Sequence, residues 1–157
     1  MDLAELQIRE CVRDTYATYT HAGDRFQLTT LAECFAEDGT LEITGRTTAT
    51  GRAAIVAMLS GGGDGADGAD GADGADGKRQ PLRVRHFVTN LLFTSVSPRQ
   101  VESTAYFQVL VEQGDRRGVD HWGRYRDVLV PVGDRWLFRH RLVSVDVAVP
   151  EGWYAGV

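Results

Sequence analysis

Along the first sixty positions the apolar residues recur every three to four places, and from Leu82 onward they recur every second place. The first rhythm predicts helices and the second predicts strands. Leu3, Leu6, Ile8, Cys11, Val12, Thr15, Tyr16 and Tyr19 form one stripe at helical spacing. Asp2 followed by Glu5 resembles a capping box at its start. His21–Asp24 closes this helix, with Gly23 as the natural terminator. A second, shorter helix puts Leu28, Leu31, Ala32 and Phe35 on one face. A turn at Asp38-Gly39, a short strand at Leu41-Glu42-Ile43 and a third helix over Gly51–Leu59 follow.

Four long strands are expected at Arg85–Val96, Val101–Glu112, Val119–Val130 and Arg135–Val147. The turns between them are short, as in an antiparallel meander. Helices followed by a run of strands predict an α+β fold in one domain over residues 1–157, with the helices on one face of a curled sheet. Such a sheet leaves a concave apolar cavity, a common place for a ligand.

Between the two rhythms lies GGGDGADGADGADGADG at 61–77, a period-three repeat without proline. Glycine's backbone entropy and the clustered charge predict a solvated, flexible Gly/Asp-rich loop at about 61–79. This repeat carries Asp64, Asp67, Asp70, Asp73 and Asp76. It accounts for the whole formal net charge of -5, so the rest of the chain is near neutral. A neutral body argues against a nucleic-acid partner, whose phosphates demand a basic face. No apolar run is long enough to span a bilayer, and the charged first ten residues do not read as a signal peptide. A cytoplasmic protein with no membrane association is expected. Its two cysteines, Cys11 and Cys34, read as small buried hydrophobes.

Polar residues at positions where the pattern wants apolar ones are the candidates for chemistry. Tyr16, Tyr19 and Asp24 share a broad sector near the end of the first helix. By alternation His86, Val88, Asn90 and Leu92 share one face of the first long strand, so His86 and Asn90 are both in the pocket or both outside it. A carboxylate beside an imidazole fixes its tautomer and supports it as a base, so Asp24 and His86 form a candidate catalytic pair. Tyrosine hydroxyls near them suit a developing oxyanion. The plainer reading makes Asp24 a solvated helix end and His86 a satisfied sheet histidine. His121, Gly123, Tyr125 and Asp127 alternate on the third long strand, and Trp136, Phe138 and His140 on the fourth. These residues line the pocket or form a dimer surface, since an exposed aromatic face usually has a partner. Phe107 on the second long strand joins Tyr16, Tyr19, Asn90, His121 and Tyr125 as a candidate substrate contact. The four histidines lack metal-ligand spacing, so neither a metal nor another cofactor is expected.

The strings Tyr16-Ala-Thr-Tyr19-Thr-His-Ala-Gly-Asp24, Phe35-Ala-Glu-Asp38-Gly39 and Gly51-Arg52-Ala-Ala-Ile55 resemble the SnoaL-like branch of the nuclear transport factor 2-like superfamily. Arg85-His86-Phe-Val-Thr-Asn90, Gly123-Arg-Tyr125-Arg-Asp127 and Trp136-Leu-Phe138-Arg-His140-Arg141 extend the resemblance over nearly the whole chain outside the repeat. It implies a cone-shaped, curved antiparallel sheet with N-terminal helices enclosing one pocket, in a homodimer formed through the sheet. Members resembling scytalone dehydratase and the hexachlorocyclohexane dehydrochlorinase use an Asp–His dyad, to which Asp24 and His86 correspond. Tyr19 falls where the dehydrochlorinase has a lysine, and Asp127 is a loose match to the Asp of polyketide cyclases. The resemblance thus implies a cofactor-independent lyase or isomerase, of dehydratase or cyclase type. Its substrate would be a small apolar cyclic molecule such as a polyketide, terpenoid or aromatic intermediate. Two other roles exist on the same fold: small-molecule binding without turnover, and service as the small structural subunit of a ring-hydroxylating dioxygenase.

Overall fold

A computed structural model describes residues 1–61 and 82–154. The flexible-loop expectation for 61–79 lies, apart from Gly61, outside the described residues. The elements are α1 (Leu3–Asp24), α2 (Leu28–Ala32), β1 (Phe35–Ile43), β2 (Thr47–Thr50), α3 (Arg52–Leu59), β3 (Leu82–Val96), β4 (Val101–Gln113), β5 (Arg116–Val132) and β6 (Arg135–Ala148).

α1 starts where the capping pattern places it, the Asp2 carboxylate accepting the Glu5 N–H at 2.8 Å. It runs through Gly23 rather than stopping there. The left-handed residue that ends it is Phe26, at φ 56°. Gly23 is an ordinary helical position, where a Cβ would make no more than a van der Waals contact with Leu31 at 3.5 Å. α2 ends at Ala32, so Phe35 opens β1 instead of finishing a helical face. Asp38 and Gly39 sit inside β1, where pairing with β6 shifts register between Phe35 and Thr40. A Cβ on Gly39 would lie 2.6 Å from the Phe138 carbonyl oxygen, so only glycine allows this approach.

The six strands form one open mixed sheet in the order β2-β1-β6-β5-β4-β3. β3 to β6 make the expected antiparallel meander. β1, however, joins β6 in parallel, which local turn signals do not reveal. β2 is too short and too threonine-rich to stand out in the sequence, and it pairs antiparallel with β1. Inward-facing Val84, Val101, Ala105, Phe107, Val109, Val111, Tyr125, Leu129 and Phe138 build the core with Val12 and Tyr16 of α1 and Ile55 of α3.

Of the register shifts along the sheet, those at three bulges reset which side chains face in near the candidate residues. In β3 the register shifts between Thr89 and Leu92, with Asn90 at φ 55°. In β5 it shifts where Val119 pairs Leu110 and His121 pairs Val109, leaving Asp120 as the extra residue. In β6 it shifts where Phe138 pairs Leu129 and His140 pairs Val128, leaving Arg139 as the extra residue. Each bulge breaks the period-two pattern at a polar residue.

Candidate active site

Asp24 is the last residue of α1 and His86 is the fifth of β3. The helix end meets the sheet edge there, and Asp24 Oδ1 lies 2.7 Å from His86 Nδ1. The same oxygen accepts the His86 backbone N–H at 2.9 Å, which fixes both ends of the contact. The two side chains retain 11% and 21% of their surface, enough for contact with a ligand but not free rotation in solvent. With Nδ1 held by the carboxylate, Nε2 is the ring nitrogen left to exchange a proton.

His86 lies on the wall of a cavity of about 460 Å³. Tyr19, Thr20 and Gly23 of α1 contribute to it, with Phe26, Leu28 and Leu31 from the next turn and α2. Met58 and Leu59 of α3, the β1–β2 hairpin residues Ile43, Arg46 and Thr47, and Trp153 and Tyr154 complete the wall. The lining is mainly aliphatic and aromatic, with His86, Tyr19, Thr20, Thr47 and Arg46 as its polar points. That is the composition of a pocket for an apolar ligand with one or two oriented polar groups.

The remaining sequence candidates divide. Tyr19 faces the cavity. Tyr16 lies deeper, its hydroxyl donating to Asp127 Oδ2 and lying 3.2 Å from Ser103 Oγ. Phe107 and Tyr125 stack with ring centroids 4.5 Å apart in the core, not on the cavity wall. His121 is buried too, edge-on to Phe107 and stacked at 4.5 Å on Tyr154. Asn90 is separated from His86 by the β3 bulge. It borders an open groove of about 750 Å³ that also takes in Leu92, Tyr106 and Arg124. Alternation had tied Asn90 to His86, and the one-residue insertion undoes that link. The same logic applies in β6, where His140 turns outward to Glu42 while Arg141 turns in.

Arg141 is the residue that sequence reasoning missed. It is fully buried, and its Nε and Nη2 make a bidentate pair with Asp127 at 2.9 and 2.7 Å. The rings of Tyr16, Tyr19, Tyr125 and Phe138 surround its guanidinium at 3.9 to 4.7 Å. Burial alone would lower its pKa, but the Asp127 carboxylate outweighs that and raises it well above the usual arginine value. Burial raises the Tyr16 hydroxyl, and Asp127 adds to the effect. Burial raises the Tyr19 hydroxyl against the opposing charge of Arg141. Both tyrosines are therefore neutral hydrogen-bond donors at physiological pH. Burial lifts the Cys34 thiol to about 11, which makes it unreactive.

A second buried carboxylate, Asp120, meets His121 Nδ1 at 2.9 Å and accepts the N–H groups of Trp153 at 2.7 Å and Tyr154 at 3.0 Å. Burial would raise Asp120, but His121 and these two N–H groups together hold it below the usual carboxylate range. Burial lowers the His121 pKa despite Asp120 beside it. Among the described residues no three His, Cys, Asp or Glu side chains cluster as a metal site, and no helix is long and apolar enough to cross a membrane.

The SnoaL-like domain profile matches residues 4–142. The chain belongs to the SnoaL-like domain family. Solved structures agree with that membership. One is a protein of Catenulispora acidiphila in complex with S-DNPA, at 30% identity over 86% of this chain and 90% of that one, with a TM-score of 0.69. ActVI-ORFA of Streptomyces coelicolor shares 23% identity over 88% of this chain and 96% of its own, with a TM-score of 0.71. LinA shares 20% over 93% and 90%, also at 0.71. The latter two show the SnoaL-like fold alone. No curated protein matches the chain.

Proposed function

We propose that this SnoaL-like protein is a lyase or isomerase of the dehydratase or cyclase type, acting on a small, largely apolar cyclic molecule. The observation that carries the reading is the 2.7 Å contact between Asp24 and His86 on the wall of an apolar cavity. Membership of the SnoaL-like domain family supports the same class.

The chemistry uses the chain's own side chains. His86 Nε2 takes the proton from the carbon next to a substrate carbonyl, and Asp24 balances the imidazolium that results. The Tyr19 hydroxyl donates to the carbonyl oxygen as negative charge gathers there. In a dehydration, the hydroxyl on the next carbon leaves with the proton from His86 as water, and a conjugated ketone remains. In an isomerisation, the same proton returns to a different carbon.

3-Hydroxy-1-tetralone is a direct probe, because loss of its C2 proton and C3 hydroxyl gives 1-naphthol, which fluoresces. Turnover should fall about 10²–10⁴-fold in His86→Ala, the usual contribution of one general acid–base group. A His86→Ala protein as active as the parent would overturn the reading.

A partner role rests on a separate observation. Phe87, Leu92, Tyr106, Trp122 and Val147 are exposed, and strand pairing sets Trp122 beside Val147 and, one strand further, across Gln108 from Phe87. We propose that a second copy covers this face in a homodimer. Sedimentation at micromolar concentration should give twice the chain mass, reduced to one by Trp122→Glu with Tyr106→Glu. A monomeric parent would instead favour the subunit role, with a different chain on this face.

A further inference from the structure

The family match ends at residue 142, yet Trp153 and Tyr154 form part of the cavity wall. The turn that carries them is built into the sheet. Asp120, the bulge residue of β5, takes both of their N–H groups on its buried carboxylate, while its own carbonyl accepts the Val149 N–H at 2.8 Å. Arg116 Nη1 donates to the Glu151 carbonyl at 2.8 Å. Gly152 passes so close that a Cβ there would lie 2.7 Å from Asp120 Oδ1, so the turn admits no side chain at that point. The Tyr154 ring is stacked on His121, with Arg46 Cζ 4.0 Å from its centroid and Arg46 Nη2 on its carbonyl at 3.0 Å.

A peptide held by this many bonds presents a rigid surface. Tyr154 is the anchor, and Trp153, its ring tilted beside His121 with centroids 6.2 Å apart, lines the cavity next to it. We propose that the turn over residues 150–154, latched by Asp120, is a substrate-selecting wall, and that Trp153 favours flat, unsaturated rings over puckered saturated ones of the same size. The inference rests on the catalytic reading only for which cavity receives substrate. Aromatic faces prefer offset or edge contacts with other π systems, which a saturated ring cannot return. Asp120 and His121 act through the turn and are positioning residues.

The test uses the full chain and two inert probes of one skeleton, 2-naphthol and trans-decahydro-2-naphthol, titrated by calorimetry. The parent should bind the naphthol more tightly, and Trp153→Ala should shrink that ratio of dissociation constants by roughly three- to tenfold. Asp120→Asn should shrink it similarly and speed hydrogen exchange at the Trp153 and Tyr154 amides, an effect confined to the turn. Equal binding of both probes by the parent, or an unchanged ratio in Trp153→Ala, would overturn the proposal. Should Asp120→Asn fail to fold, Trp153→Ala decides alone. Turnover is no part of this readout, so a failure of the proton-transfer reading and a failure of the wall are separately visible.

Discussion

A single oxygen of Asp24 holds His86 at two points, the backbone N–H at 2.9 Å and ring Nδ1 at 2.7 Å. The first bond fixes where the strand passes the helix end, and the second fixes how the imidazole is turned. A carboxylate used in this way orients the ring before any substrate arrives, which is the form of preorganisation that proton transfer rewards.

Asp24→Asn keeps the shape of that contact but removes its charge. Asparagine can offer an N–H to Nδ1 and so favour the tautomer that puts the proton on Nε2. Turnover of 3-hydroxy-1-tetralone should fall by about 10²-fold or more while the melting temperature changes little, because the group is only partly buried. Stopped-flow fluorescence of the naphthol product measures the first effect and calorimetry the second.

The Asp127–Arg141 pair makes a different prediction, one about stability. Arg141→Met leaves Asp127 charged and without its cation in the core, at a cost of about 3–5 kcal/mol. Adding Asp127→Leu removes the stranded charge and should recover a large part of the loss. Urea denaturation of the single and double variants, compared as a cycle with the parent, checks both statements.

Acid stability should fall in two stages. Burial depresses His121, so below its ordinary pKa of 6.5 the unfolded chain takes up a proton that the folded chain resists. The unfolded state then binds more protons, and stability declines as pH drops through that window. Asp120 is depressed below 3.8, so the unfolded chain again protonates first and a second decline begins there. Melting temperature followed from pH 8 to pH 5 should lose its slope in His121→Phe, whose ring cannot titrate.

Asn90 carries positive φ at the β3 bulge, a conformation that asparagine and glycine adopt and β-branched residues resist. Asn90→Val should cost about 1–2 kcal/mol in denaturant unfolding, while Asn90→Gly should be close to neutral. Neither change should alter the KM for a substrate of the His86 cavity, since the side chain borders a different groove.

The helix stripe, the capping of α1 by Asp2, the third helix and the four-strand meander were legible because each is local: a period, a cap or a short turn. Asp24 and His86 stood out as an acid at a helix end and a histidine in a strand, but the pattern left open whether they meet, and it is the fold that brings them to 2.7 Å. The bulges were not legible. Alternation assigns Asn90 to the face of His86, His140 to that of Phe138, and Asp120 to the side opposite His121. One inserted residue reverses each assignment, and its only local mark is a residue such as asparagine that tolerates the backbone it needs. Arg141 and the turn carrying Trp153 escaped for a related reason. Their roles depend on Asp127 and Asp120, and the polar side chains of a strand do not announce which of them a bulge has turned inward.

The parallel pairing of β1 with β6 sets an order on assembly. β1 finds its hydrogen-bond partner about a hundred residues downstream, and α1 reaches the same strand through the Thr15 hydroxyl on the Trp136 carbonyl at 2.5 Å. During synthesis, then, the first hairpin emerges with no strand for β1 to extend, while β3, β4 and β5 can zip as hairpins and α1 can dock on them through Asp24–His86 and Tyr16–Ser103. Only when β6 leaves the ribosome do the two halves acquire a common edge, and the cavity that houses His86 is the last part of the molecule to exist.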